Sequence, residues 1–351
     1  MDLQIYELIE KLHTTHSLEK NEYLALIEAI NDETVEELAR LATEVREKIY
    51  GRDVFVRGLV EISNRCKNNC LYCGIRRDNN NIHRYFLTPE QILSCVQQGY
   101  SLGFRTFVLQ GGEDRYYTDE LLSSLIDIIK KKHPDCAVTL SLGERGYESF
   151  KNLKEAGADR YLLRHETADP VHYSKLHPKE MSYESRMSSL YELRALGYQV
   201  GCGFMVGSPY QTPSELAADL KFIEKFKPDM CGIGPFIPHK DTEFRDRPAG
   251  DAVLTCYLLS IIRLMIPDIL LPATTALATA DRKGRERGLL SGANVLMPNL
   301  SPVAVRKDYA LYDDKVCTGD ESAACVECLK TRVASVGYKI VTERGDRKGF
   351  L

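Results

Sequence analysis

Cys66, Cys70 and Cys73 stand within one short run, Cys66-Lys-Asn-Asn-Cys70-Leu-Tyr72-Cys73. Thiolates are soft ligands that suit iron–sulfur clusters and zinc. A structural zinc site takes four ligands, and His83 is within sequence reach as a fourth. Three thiolates leave one iron of a four-iron cubane without a protein ligand, and an open iron is a place for chemistry. A second group, Cys317, Cys325 and Cys328, has x7 and x2 spacing. It reads either as a metal or cluster site or as a reduced hairpin. Cys95, Cys136, Cys202, Cys231 and Cys256 fall in helix-like or strand-like runs, where cysteine acts as a small buried hydrophobe. Eleven cysteines in a chain of this size make a poor disulfide framework. Met1–Lys11 is amphipathic and lacks the apolar core of a leader peptide. A reducing cytosol is therefore the expected location, with the clustered thiols serving metal or catalysis.

The elements around the cysteines alternate regularly. Strand-like runs occur at Val54–Ile62, Arg105–Gln110, Ala137–Leu142, Arg160–Leu163, Gln199–Val206, Met230–Phe236, Ile269–Pro272 and Asn294–Met297. Helical periodicity fills the intervals near 89–102, 118–132, 147–156, 182–196, 213–226, 251–265 and 284–291. Thr88-Pro89, Ser182, Thr212-Pro213 and Asp251 read as helix starts. Alternation with short connections implies a parallel sheet. Eight units are what a (β/α)8 TIM barrel requires; an open doubly wound sheet is the alternative. The first cysteine group follows the first strand, which in a barrel is the face that carries active sites.

The chain divides into an N-terminal helical segment (1–52), the barrel (53–300) and a C-terminal extension with the second cysteine group (301–351). Helical runs in the first segment are Glu7–Leu12, Glu22–Ile30 and Thr34–Ile49, with Asp32 as the expected N-cap of the third. A further helix is expected at Ala323–Val336. The 351 residues are 44% apolar and 27% charged, enough for a large core, and the net charge of −4 gives no sign of a nucleic-acid partner. No apolar run is long enough for a transmembrane helix.

Cys-x3-Cys-x2-Cys with an aromatic residue before the last cysteine, here Tyr72, resembles the signature of the radical S-adenosylmethionine (SAM) superfamily. Gly111-Gly112-Glu113, after the second strand, is similar to the family's GGE motif. Within that superfamily the chain most resembles the HydE family of FeFe-hydrogenase maturases. The strings that carry this likeness include Cys70–Asp78, Val108–Asp114, Gly157–Ala168, Gly232–His239, Pro272–Ala276 and Gly292–Asn299. Methylornithine synthase and biotin synthase share the pattern less fully.

The resemblance implies a 4Fe–4S cluster on Cys66, Cys70 and Cys73, whose open iron binds SAM and whose electron cleaves it to a 5′-deoxyadenosyl radical. It implies that the Gly111–Glu113 backbone receives the SAM amino group, Glu166 the ribose and Arg186 the methionyl carboxylate. Gln110, Thr139, Ser141, Arg164, Thr274, Thr275, Met297, Tyr309 and Tyr312 match cavity or cofactor-facing positions. Cys317, Cys325 and Cys328 match a triad that binds an auxiliary cluster in many family members. The implied substrate is a cysteine-bound iron carbonyl–cyanide precursor of the diiron subcluster. HydG and HydF are the implied partner maturases, beside a low-potential electron donor.

The residues also admit plainer readings. Arg164, His165 and Glu166 are what a solvent-facing strand end often carries, Arg186 alone reads as a solvated helix residue, and Thr274-Thr275 as turn chemistry. Tyr309 and Tyr312 alone read as aromatics packed under a loop. At Gly207-Ser-Pro-Tyr210-Gln-Thr212 a tyrosine stands where HydE relatives carry glycine. A freely positive φ is therefore not expected there. Cys136, Cys202 and Cys231 lie on strands, so a second cluster inside the barrel, as in biotin synthase, stays open at this point. So does a cluster carrier without catalysis.

Overall fold

The computed structural model describes residues 2–316 and 326–349. Its strands are β1 (Asp53–Val56), β2 (Gly58–Ser63), β3 (Thr106–Gly111), β4 (Ala137–Ser141), β5 (Arg160–Leu162) and β6 (Gln199–Cys202). They continue as β7 (Met205–Val206), β8 (Met230–Cys231), β9 (Gly234–Pro235), β10 (Val295–Leu296) and β11 (Lys339–Val341). β2, β3, β4, β5, β6 and β8 form one sheet in that order, every pairing parallel. Parallel bridges Met230–Leu270, Pro272–Val295 and Asn299–Leu59 carry the ring through 270–272 and 295–299 back to β2. Leu59 N donates to Pro298 O at 2.9 Å and Leu300 N to Leu59 O at 2.7 Å, fastening the last position to the first. The eight predicted units therefore close into a (β/α)8 barrel rather than an open sheet.

Helices begin where the sequence places caps. Thr88, Ser182, Thr212 and Asp251 each accept a backbone N–H of the following first turn. In the N-terminal segment the helices are Leu3–Thr15, Lys20–Glu28 and Asp32–Tyr50. The third is capped by Asn31, not Asp32: Asn31 has extended backbone, and its side chain accepts from Thr34 N at 3.0 Å. The runs expected at 199–206 and 230–236 are each split. Gly203 adopts φ +155, and a Cβ there would stand 2.1 Å from Gly232 O, so the two backbones pass too closely for continuous strands.

Alternation of side chains sorts the barrel into an outer and an inner layer. Val60, Ile62, Phe107, Leu109, Val138, Leu140 and Tyr161 pack under the helices. Leu162, Met230, Leu270 and Val295, with Tyr50 and Phe55, make an apolar floor inside. Above this floor, toward the strands' C-terminal ends, the inner face is polar.

Below the floor, the C-terminal segment seals the barrel base. β11 pairs with β1, Arg160 Nη2 meets Asp346 Oδ1 at 2.5 Å, and Arg347 meets Asp268 at 2.7 Å. The helix expected at 323–336 is observed as Val326–Ala334. Cys317 and Cys325 lie outside the described residues, and Cys328 is on that helix.

Candidate active site at the barrel mouth

β2 ends at Ser63, and the chain leaves the barrel as the loop that carries Cys66, Cys70 and Cys73. The loop is stitched to three neighbours. Lys67 N donates to Glu113 O at 3.0 Å, Leu71 N to Leu176 O at 3.0 Å and Gly74 N to Leu311 O at 2.8 Å. Arg84 organises it from within, donating to the carbonyls of Asn64, Ile75, Arg76 and Asn79 at 2.5–2.9 Å. No spacing rule marks Arg84 in the sequence, because its partners are backbone atoms.

Burial pushes all three thiols up, Cys73 to about 12, and each feels its neighbours' charge. Three mutually repelling thiolates in a half-buried loop need a positive group to ionise. That donor set fits an iron–sulfur cluster. His83, the alternative fourth ligand, instead meets Asp308 Oδ2 at 3.0 Å, with a side chain 76% exposed.

Gly111 and Gly112 lie beside this loop. A Cβ on Gly112 would stand 2.2 Å from Arg65 O and 2.8 Å from Cys66 Cβ, so only glycine lets the two loops meet. Glu113 ties them further: its Oε2 meets Lys67 Nζ at 2.9 Å, and its Oε1 accepts from Glu144 N at 3.0 Å. Glu144 Oε1 in turn takes Arg186 Nε at 2.6 Å, while Arg186 Nη1 donates to Arg164 O at 2.7 Å. Arg186 is thus buried rather than solvated. Glu144, which was not singled out as a site residue, aims it. Tyr72 is half-buried, beside Arg186 and Glu166, with its hydroxyl 3.2 Å from His177 Nε2.

Arg164 and Glu166 stand at the mouth after β5. Their charged groups approach to 3.2 Å, yet Arg164 Nε and Nη2 and Glu166 Oε2 are buried without an aligned hydrogen bond. Glu166 adopts φ +67, a strained state for a non-glycine residue and one that clusters at functional sites. Deeper in, Thr139 Oγ1 is buried and unpartnered. Ser141 and Gln110 are cross-strand neighbours, and Gln110 Nε2 donates to Tyr309 OH at 3.3 Å. Met297 rests against the apolar floor, and Tyr312 follows Tyr309 on the same segment. Thr274 caps the Thr275–Ala280 helix, so its turn chemistry is real. Orphaned donors and a carboxylate oxygen around one mouth suit a polar, zwitterionic cosubstrate such as SAM.

Tyr210 corrects an expectation. It does adopt positive φ, +67, a strain of about 1–2 kcal/mol. Its ring and hydroxyl take the Arg247 guanidinium, with the hydroxyl contact at 3.0 Å.

A family model described as the radical SAM superfamily matches residues 60–223. The chain is 28% identical over 335 residues to 3-methylornithine synthase of Methanosarcina barkeri, covering 94% of this chain and 92% of that one. The crystal structure of methylornithine synthase (PylB) matches with a TM-score of 0.82 at 26% identity, covering 95% of this chain and 97% of that one. Barrel, cysteine loop and glycine pair together define a radical SAM enzyme. Identity to the FeFe-hydrogenase maturase subunit HydE of Thermotoga maritima is 45% over 343 residues, 97% of each chain. The chain belongs to the HydE family.

Proposed function

We propose that this chain serves FeFe-hydrogenase maturation, acting on a cysteine-bound iron carbonyl–cyanide precursor of the diiron subcluster. Its membership of the HydE family over nearly its full length carries the reading. Cys66, Cys70 and Cys73 would hold the cluster. When bound, the cluster and SAM supply a low-potential electron and the adenosyl group whose cleavage starts the radical chemistry. The protein's residues position and shield. The Glu113–Lys67 and Glu144–Arg186 pairs fix the loops around the mouth. Thr139, Ser141, Gln110, Tyr309 and Met297 line a polar chamber above an apolar floor, and the C-terminal segment closes the base against water.

The biotin synthase alternative needs cluster ligands inside the barrel. Cys136, Cys202 and Cys231 belong instead to the outer layer beneath the helices. Gln110, Thr139, Ser141 and Arg164 occupy inner positions. Cys317, Cys325 and Cys328 are proposed to accept an auxiliary iron–sulfur cluster that SAM cleavage does not require. HydG as supplier of the substrate, HydF as a further partner maturase and a cytosolic location accompany this reading. No helix of the described residues is long and apolar enough to cross a membrane.

Anaerobically reconstituted protein, given SAM and a reductant, is expected to release 5′-deoxyadenosine. It should also complete an in vitro hydrogenase maturation that lacks only this component. Cys66→Ala, Cys70→Ala or Cys73→Ala should lose about four irons per chain and all cleavage. Cleavage without maturation would sink the hydrogenase reading; absence of both would sink the enzyme reading.

A further inference from the structure

One buried ion pair on the inner barrel wall has no role in the functions assigned so far. Lys315 Nζ meets Glu61 Oε1 at 2.5 Å, with side chains 8% and 1% exposed. The other Glu61 oxygen accepts from Asn299 Nδ2 at 2.9 Å. The ammonium also donates to Tyr309 O at 2.9 Å and lies 4.8 Å from the Tyr309 ring centroid. Tyr309 OH is joined to Gln110 at 3.3 Å, and Gln110 is the cross-strand neighbour of Glu61. Glu61, Lys315, Tyr309 and Gln110 thus form a closed cycle on one side of the chamber.

The stretch that carries Tyr309 and Lys315 also crosses the barrel mouth. Asn64 Nδ2 donates to Asp308 O at 2.7 Å, Gly74 N to Leu311 O at 2.8 Å and Asp313 N to Pro238 O at 3.1 Å. Those ties lie at the rim, on the cysteine loop and on the loop after β9. Lys315, with the Tyr309 hydroxyl, reaches inside. Burying two opposite charges costs hydration that an apolar pair of similar volume would not lose. What the charged pair adds is a fixed geometry, because both carboxylate oxygens and two ammonium donors are directed.

We propose that Lys315 and Glu61 are positioning residues for the substrate chamber. They clasp residues 308–315 across the mouth and hold the Tyr309 ring and hydroxyl toward the bound substrate. This rests on reading the chamber as the site of the iron substrate. Without the clasp, Tyr309 is free to move and water reaches the chamber, so SAM cleavage and substrate conversion come apart.

The test uses reconstituted holoenzyme as wild type, as Lys315→Arg and as the charge-neutral pair Glu61→Gln with Lys315→Met. Deoxyadenosine and converted iron substrate are measured in the same reaction. Hydrogen exchange of residues 308–315 is measured separately on SAM-free protein. The double variant should keep its iron and still cleave SAM. Its conversion per deoxyadenosine should fall about tenfold to a hundredfold, with faster exchange in 308–315 and partial rescue in Lys315→Arg. Unchanged coupling and exchange in the double variant would overturn the proposal. So would a double variant that loses its melting transition and its iron together, which would make the pair a core element. A wild type that converts no iron substrate defeats the functional reading instead, and exchange alone then judges the clasp.

Discussion

The guanidinium of Arg186 illustrates how a residue's role depends on a partner distant in sequence. Taken alone it is a helix arginine. In the fold, Glu144 from the loop after β4 takes its Nε at 2.6 Å, and Arg164 O takes its Nη1 at 2.7 Å. Glu144→Gln should leave the fold intact but weaken that charge-assisted bond, by roughly 1.5–3 kcal/mol. Isothermal titration of SAM into cluster-loaded protein is expected to show affinity reduced by that amount. An unchanged affinity would mean Arg186 needs no such support. The cysteines, Tyr72 and the glycine pair were readable because their types and spacing are local. Arg84, Glu144, Glu61 and Lys315 were not, since each acts on something far along the chain. Tyr210 ran the other way: the residue type argues against positive φ, and the backbone adopts it nonetheless.

The C-terminal segment is an element whose job follows from where it docks. Beyond β11 it places Arg344, Asp346 and Arg347 under the barrel floor. Burial opposes ionisation of Asp346, but Arg344 and Arg160 outweigh it and hold the carboxyl well below the usual carboxylate range. A depressed folded value contributes stability that is present above the unfolded value, about 3.9, and lost as pH falls toward the folded one. Asp346→Asn should therefore melt lower than wild type at neutral pH. The gap should close as the pH drops below about 4. Melting curves across that range check this, and a constant gap would assign the loss to packing rather than charge. Strand and helix runs were legible element by element, and so were four N-caps. The breaks at Gly203 and Gly232 were not, because they arise from two backbones meeting.

Across the whole molecule, closure of the ring buries several ionisable groups that no solvent reaches. His165 and His177 are both pushed down to about 3, chiefly by burial. A histidine lowered in the folded state contributes stability that is fully present above its unfolded value near 6.5. That stability is lost progressively as pH falls toward the folded value, because the unfolded chain then binds more protons. Urea unfolding of the protein should show a falling midpoint as pH is lowered from about 6.5 toward 5. A midpoint flat over that range would mean that neither imidazole is kept neutral by the fold.

The order of elements, the barrel count and the three-cysteine loop proposed to hold the cluster were legible in the sequence itself. Periodicity, caps and a three-cysteine loop are local signals, carried by neighbours in the chain. Tertiary structure alone decided which inner-wall residues face one chamber and that cysteines on strands point away from it. It also decided that a lysine more than 250 residues from Glu61 meets it inside the barrel. The reason is physical: ring closure sets the inward face of every strand at once, and buried charges find partners by position in space, not by position in the chain.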